Sequence, residues 1–454
     1  MNDLKLKSEL DWLNAQGVTQ LSTSTWPLTA NEIGRALAAA NVSTTAQQQV
    51  LRSVKATIEA STTAGVDAAV GLYVQSDRQQ LPQTFADDQM AKQQLTAKIG
   101  YTEQQWEARL QANVKNDDLI DDSDISFEGS YLAGTAANQW LIAGQIPAWW
   151  GPGNDGSLIR GDASRPVVGV TMQRDEQKAP TSKYLSWVGP WQYQLFGGQL
   201  EDYEAVPGTK LFGMRATAEP FPWLGVGASR TFMWGGEGRK QSFSSFFDAL
   251  TGIRDNPILG QEDEDPANQL AGFDARVSLA SLLNVPGSIY GQYVGEDESG
   301  GLPSKNMYLA GMDYASSIYD KPYQLYAEYA DTRTGGKVQG HSYNHLTYKD
   351  GYYQQGYPLG HGLGGDAESI AIGGKIWLNK KDFLTAKLQY AQLNQSNRTI
   401  NQNFLTSDTL KAVDVMWSHQ LKPQALMTTR LWAVDSNIES ADVGAAIGLE
   451  LKYR

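Results

Sequence analysis

Four stretches of this chain gather side chains able to do chemistry. The first runs from Gln145 to Arg160 and contains Trp149-Trp150-Gly151-Pro152-Gly153-Asn154-Asp155. Adjacent Trp149 and Trp150 offer flat apolar faces on which sugar rings stack, while Asn154, Asp155 and Arg160 can hydrogen-bond hydroxyls or carboxylates. The plainer reading of the Trp pair is an interfacial girdle beside a packed turn. The second stretch, 229–240, is Gly-rich and basic. Arg230, Arg239 and Lys240 can contact an anionic sugar, although Arg230 reads more simply as charge lining a barrel lumen. The Lys-Ser/Thr spacing of a phosphate loop is missing.

The third stretch is acidic, Gly260-Gln261-Glu262-Asp263-Glu264-Asp265-Pro266. It lacks the ligand spacing of an EF-hand calcium loop and reads as a solvated loop. Glu296-Asp297-Glu298 invites a glycosidase reading, but neighbours on a strand point apart, so the sequence supports no catalytic carboxylate pair. The fourth and largest stretch, 331–369, holds Tyr343, Asn344, His345, Tyr348, Asp350, Tyr352, Tyr353, Tyr357, His361 and Asp366 among many Gly. Segments this long without regular structure tend to be functional. Tyr and Asn give flat area plus hydrogen bonds at low entropic cost, which suits a flexible, hydroxyl-rich ligand. His341 and His345 are four apart, but the residues between them make a metal-binding helix a poor reading. His419 falls in a strand pattern and reads as structural. With 4 His and no Cys, no catalytic residue, metal site or cofactor is expected.

These loops need a scaffold, and the last twelve residues show which. Val443, Ala445, Ile447, Leu449, Leu451 and Tyr453 share one parity; Gly444, Ala446, Gly448, Glu450, Lys452 and Arg454 share the other. Strand side chains alternate faces, so this segment has one apolar face and one small or charged face. The pattern recurs. Trp106, Ala108, Leu110, Ala112 and Val114 oppose Gln105, Glu107, Arg109, Gln111 and Asn113, and Ile125, Phe127, Gly129, Tyr131 and Ala133 continue it. Some eleven further runs fit less cleanly, with short polar turns such as Asn379-Lys380-Lys381-Asp382 between many of them. No apolar run is long enough for a membrane helix. The predicted fold class is therefore an all-β transmembrane barrel with an apolar outside and a wet interior, on the order of 16–18 antiparallel strands. The mean hydropathy of −0.41 beside 21 Tyr and 13 Trp agrees with a polar lumen and aromatic girdles.

Residues 1–65 follow a different period and are predicted to form a small helical bundle, with 66–454 as the barrel. Leu6, Leu10 and Leu13 make one stripe that Gly17 can end. Thr29 to Glu32 reads as a capping box with a Leu28–Ile33 staple, and a third helix starts at Thr44 or Thr45 with Val50, Leu51, Val54 and Ile58 on its core face. The Gln-, Ser- and Thr-rich polar faces favour a bundle capping the barrel over a membrane-surface helix. No signal peptide is visible at Met1, and an exported protein would already have lost it. Since barrels of this kind commonly end in an aromatic, one further aromatic residue is expected after Arg454.

The segments Trp26-Pro27-Leu28, Trp149-Trp150-Gly151-Pro152-Gly153, Gly189-Pro190-Trp191, Gly295-Glu296-Asp297-Glu298, Tyr348-Lys349-Asp350-Gly351-Tyr352 and Pro358-Leu359-Gly360-His361 together resemble the Wzi family of outer-membrane capsule assembly proteins, across essentially the whole chain. The resemblance implies an 18-stranded barrel with a periplasmic helical bundle, and a lectin that holds capsular polysaccharide at the surface of a Gram-negative cell. On that reading Trp149, Trp150, Asn154, Asp155, Arg160, Arg239, Lys240, Tyr343, Tyr348, Asp350, Tyr352, Tyr353 and His361 are candidates for polysaccharide binding. Outer-membrane lipid and lipopolysaccharide are the other expected partners, and a monomer is expected. A net charge of −13 excludes a general nucleic-acid binder, so an anionic polymer must be met by local cations. A sugar-selective diffusion channel is the competing reading; it requires an open lumen. A barrel lipase or glycosidase is the third.

Overall fold

A computed structural model describes residues 3–78, 81–87, 91–118, 124–251, 267–299, 302–438 and 441–453. The acidic loop 260–266 and Arg454 lie outside the described residues.

Among those residues, eighteen antiparallel strands form one closed barrel, each paired with its neighbours in sequence. The first strand, Gly65–Gln75, meets the last, Asp442–Tyr453, in the register Ala68↔Tyr453 through Gln75↔Ala446. Closure leaves no free sheet edge, which is the condition for crossing lipid with strands. One strand is interrupted. Ile125–Ser126 and Tyr131–Ala136 both pair with Trp106–Asp118, and the run predicted as continuous breaks at 127–130.

The two-residue rhythm has the expected result. Leu72, Ile99, Leu110, Leu141, Ile372, Leu388, Leu431 and Ile447 are all exposed on the outer wall. Most of their opposite-parity neighbours point inward and are polar or small; Tyr73, Ile142 and Trp432 are larger inward side chains, each buried. Aromatic pairs flank the apolar band near the short turns, among them Tyr101–Trp106 and Phe221–Trp223, both stacked.

Three helices precede the wall: α1 (Leu4–Ala15), α2 (Ala30–Ala38) and α3 (Thr45–Thr62). Asp3 caps α1, and Gly17 follows it at a φ of 69°, a left-handed turn that glycine adopts freely. Thr44, not Thr45, caps α3 and forms the full capping box with Gln47. The box predicted for α2 is half made. Thr29 accepts from the Glu32 N–H at 3.2 Å, but the Glu32 carboxylate turns away to Arg35 and to the Gln177 N–H.

α1 is no simple amphipathic helix, because its polar side is buried too. Lys7 pairs with Asp11 at 2.7 Å, Thr23 donates to Asp11 at 2.5 Å, and Ser53 donates to Glu9 at 2.7 Å. Burial pushes the Glu9 carboxyl up to about 7, against the pull of Lys5 and Ser53. Burial also opposes ionisation of Asp11, but Lys7, Arg276 and Lys375 outweigh it and hold that carboxyl below its ordinary value. The helix seals the barrel mouth: Trp12 Nε1 donates to the carbonyls of Ser316 and Tyr323 at 3.0 Å each, and Gln16 to that of Ala315 at 2.8 Å.

Candidate functional site

The loop after the strand Gln139–Gln145 does not project into solvent. It turns into the lumen and crosses it. Trp149–Trp150 pairs antiparallel with Thr25–Trp26, so the segment between α1 and α2 meets the loop inside the barrel. Phe85 packs edge-on between Trp26 and Trp149, with ring centroids 5.2 and 5.5 Å away. Trp150 donates through Nε1 to Gln194 at 2.5 Å.

Beyond the Trp pair, three consecutive N–H groups converge on one carboxylate. Asn154, Asp155 and Gly156 donate to Glu328 at 2.7, 3.1 and 2.8 Å, and the Tyr290 hydroxyl adds a fourth bond at 2.8 Å. Successive backbone amides curled in this way make a natural anion cradle, here filled by a side chain of the wall. Lys375 donates to Asn154 Oδ1 at 3.1 Å, while Lys387 and Gln389 hold Asp155 at 2.9 and 3.2 Å. Gln292 accepts from the Leu158 N–H at 2.8 Å and donates to the Trp150 carbonyl at 2.9 Å. Gln194 and Lys387 lie on strands nearly opposite in the ring, so the loop is fixed from both sides. Residues 85–87 fill in from another direction, with Asp87 paired to Arg430 at 2.9 Å.

A second layer closes over the first. Tyr343 and Tyr352 donate to the carbonyls of Leu158 and Ile159 at 2.5 and 2.8 Å. Tyr203 donates to the carbonyls of Tyr348 and Gly351, and Asp350 accepts from the Ala205 N–H at 2.8 Å. The N–H of Gly365 donates to the Tyr353 hydroxyl at 3.1 Å. The 331–369 segment is thus a lid bolted by its own tyrosines to the loop beneath.

This placement corrects several expectations. Trp149, Trp150, Asn154, Asp155, Arg160, Tyr343, Tyr348, Tyr352, Tyr353 and His361 are all buried, because each is used to hold the loops together. They do not line an open sugar groove, and the Trp pair is no membrane girdle. Arg160 stacks over Phe196 at 4.2 Å and Trp150 at 5.5 Å, and burial holds its guanidinium below its ordinary value. Burial drops the His361 imidazole to about 4, so it is neutral at physiological pH. A Cβ on Gly156 would stand 1.8 Å from His361 Nε2, so this contact requires glycine. The solvent side of the lid carries exposed His341 and Lys349 with half-buried Asp350, and the loop after the strand Leu224–Trp234 brings exposed Lys240 and half-buried Arg239. Arg239 lies 5.8 Å from the Tyr348 ring.

Arg230 does not line the lumen. It shares parity with Val226, Ala228 and Phe232 on the outer wall, while Ser229 points inward to Arg215 at 2.6 Å. Glu296 accepts from the Tyr343 N–H and so braces the lid; the side chains of Asp297 and Glu298 lie outside the description. Among the described residues no group of three or more His, Asp or Glu is disposed to hold a metal. The residues missed were the anchors of the wall: Glu328, Gln292, Lys375, Lys387, Arg215 and Tyr290. Their one signal was a charge, amide or hydroxyl on the inward parity.

A closed sheet with an exposed apolar wall, aromatic girdles and a polar interior defines a transmembrane β-barrel of the outer-membrane type. The model of the family described as capsule assembly protein Wzi matches residues 65–445. A Klebsiella pneumoniae relative, described as an uncharacterized 55.8 kDa protein in the cps region, is 44% identical over 100% of this chain and 89% of its own length. The solved structure of Wzi from Escherichia coli superposes with a TM-score of 0.92 at 41% identity, covering 99% of this chain and 98% of that one. That protein is described as an outer-membrane, carbohydrate-binding β-barrel involved in group 1 capsule assembly. The chain belongs to the Wzi capsule assembly family and is an outer-membrane protein with its long loops at the cell surface.

Proposed function

We propose that this barrel is a non-catalytic lectin that tethers capsular polysaccharide to the cell surface. The observation that carries this reading is the crossed lumen. A loop held by Glu328, Gln194, Gln292 and Lys387, under a tyrosine-bolted lid, suits a rigid platform and not a diffusion path. The polymer meets the outer face of the lid. Lys240, Arg239 and Lys349 supply cations against acidic sugars on a chain whose net charge is −13, and Asp350 supplies an acceptor for hydroxyls. The buried Trp149, Trp150, Asn154, Asp155, Arg160, Tyr343, Tyr348, Tyr352, Tyr353 and His361 act indirectly, by fixing the shape of that face. A polymer repeats its epitope, so weak contacts on many monomeric copies sum to firm retention. No cofactor enters this mechanism. Lipid and lipopolysaccharide surround the wall.

The test is binding of purified capsular polysaccharide to the detergent-solubilised protein. Combined Arg239→Ala, Lys240→Ala and Lys349→Ala substitution should weaken binding about 10-fold or more and flatten its salt dependence, with folding intact, since all three groups sit at the solvent edge. Undiminished binding would place the glycan site elsewhere.

A further inference from the structure

One helix of the barrel lies where no loop helix is needed. α4 (Phe243–Thr251) follows the strand Leu224–Trp234 at the cell-surface end, and it folds back over the outside of the wall. Its inner side, Phe246, Ala249 and Leu250, packs on Phe212, Phe232 and Trp234. Those three wall residues share the outward parity of Val226 and Phe273, which face lipid. The helix therefore continues the lipid-contacting surface at the level of the outer leaflet.

A polar pair beneath it, half-buried Arg230 and buried Gln269, explains its hold. Arg230 and Gln269 sit on the outward parity, where an uncovered polar group would meet hydrocarbon. Arg230 donates to Gln269 and, at 3.3 Å, to the carbonyl of Ala249 in the last turn of α4. The cation thus satisfies one of the orphan carbonyls that end a helix, at the negative end of its dipole. The helix in turn shields Arg230 from lipid.

The apolar face of α4 is wider than this contact, and among the described residues its outer flank stays exposed. Phe243 is 80% exposed and Phe247 45% exposed. At the rim above them Lys210 leans over Trp234, with Nζ 5.7 Å from the ring and 2.8 Å from Gln241 Oε1. Glu237 and Asp248 are the acidic residues on the same segment. We propose that this outer face of α4 is a binding site for a phosphorylated glycolipid of the outer leaflet, with acyl chains on Phe243 and Phe247 and a phosphate at Lys210. The site rests on the membrane placement of the wall and not on the polysaccharide reading.

The test uses the full chain in mild detergent, titrated with bisphosphorylated lipid A or its dephosphorylated form, with bound lipid counted by native mass spectrometry. Phe243→Ser/Phe247→Ser should lower lipid A occupancy by about 10-fold or more, since the lost apolar contact with the acyl chains is that large. Lys210→Gln should remove the preference for the phosphorylated form. Capsular polysaccharide binding should be unchanged in the Phe variant, which separates failure here from failure of the tether. Equal occupancy in wild type and the Phe variant would overturn the site. So would a wild-type dimer that the Phe variant dissolves, because the face would then belong to a second copy of the chain.

Discussion

Glu328→Ala should turn an electrically silent barrel into a conducting one. The Glu328 carboxylate takes three backbone N–H groups from Asn154, Asp155 and Gly156 and one hydroxyl from Tyr290, all within the crossed lumen. Each buried donor left without an acceptor costs about 1–3 kcal/mol, so the loop loses on the order of 5 kcal/mol of seating. That is enough to raise the population of unseated loop by roughly four-thousandfold. Lys387 and Lys375 remain on Asp155 and Asn154, so the loop should open and reclose and not be lost. Flickering conductance in planar bilayers, with new protease cleavage near Ile159, is the expected readout; wild type should show neither. Glu328→Gln keeps the shape but puts an amide nitrogen where one acceptor stood, and should fall between. A silent Glu328→Ala barrel would mean that the neighbouring contacts suffice to hold the loop.

Arg215→Met should loosen the helices from the wall. The Arg215 guanidinium is fully buried and uses every face. It grips Asp274 through both terminal nitrogens, at 2.6 and 3.0 Å, and reaches Ser229 at 2.6 Å, Ser24 at 2.9 Å and Thr25 at 2.7 Å. Three strands and the segment between α1 and α2 meet at this one group. Its removal strands a buried carboxylate, a loss of about 3–5 kcal/mol. Hydrogen exchange in α1 and α2 should rise while the strands stay protected. The double variant Arg215→Met/Asp274→Leu should recover much of the loss, because the penalty lies in the unpaired charge more than in the missing pair. Equal damage in both variants would point to lost contacts with Ser24 and Thr25 instead.

The wall was legible in the sequence because lipid imposes a rule on every strand. Val443, Ile447 and Leu449 must point out, and nothing else in the chain can relieve them. Three helices were legible for a similar reason, since their stripes and caps are local. The plug was not. Asp155 and Lys387 are 232 residues apart, and Glu328 looked like any other inward polar residue of a strand. Whether a loop rich in Trp and Gly folds inward or outward depends on these distant partners. The Trp pair therefore carried two readings, stacking platform and girdle, and the structure adopts neither. Arg230 was legible in principle, since it is two residues from Ala228 and four from Val226 on the outward parity. α4 was legible too: Phe243, Phe246, Phe247 and Leu250 fall at the spacing of one helical face.

The account stands on the barrel holding polymer that other machinery makes and exports. Its most direct test is the partition of capsular polysaccharide between cells and medium after the gene is deleted from a capsulated host. The account expects total polymer to stay near its original amount while most of it moves from the cell surface into the medium, with the wild-type chain restoring attachment. A fall in total exported polymer, with the remainder still attached to cells, would contradict it and return the barrel to the class of export channels.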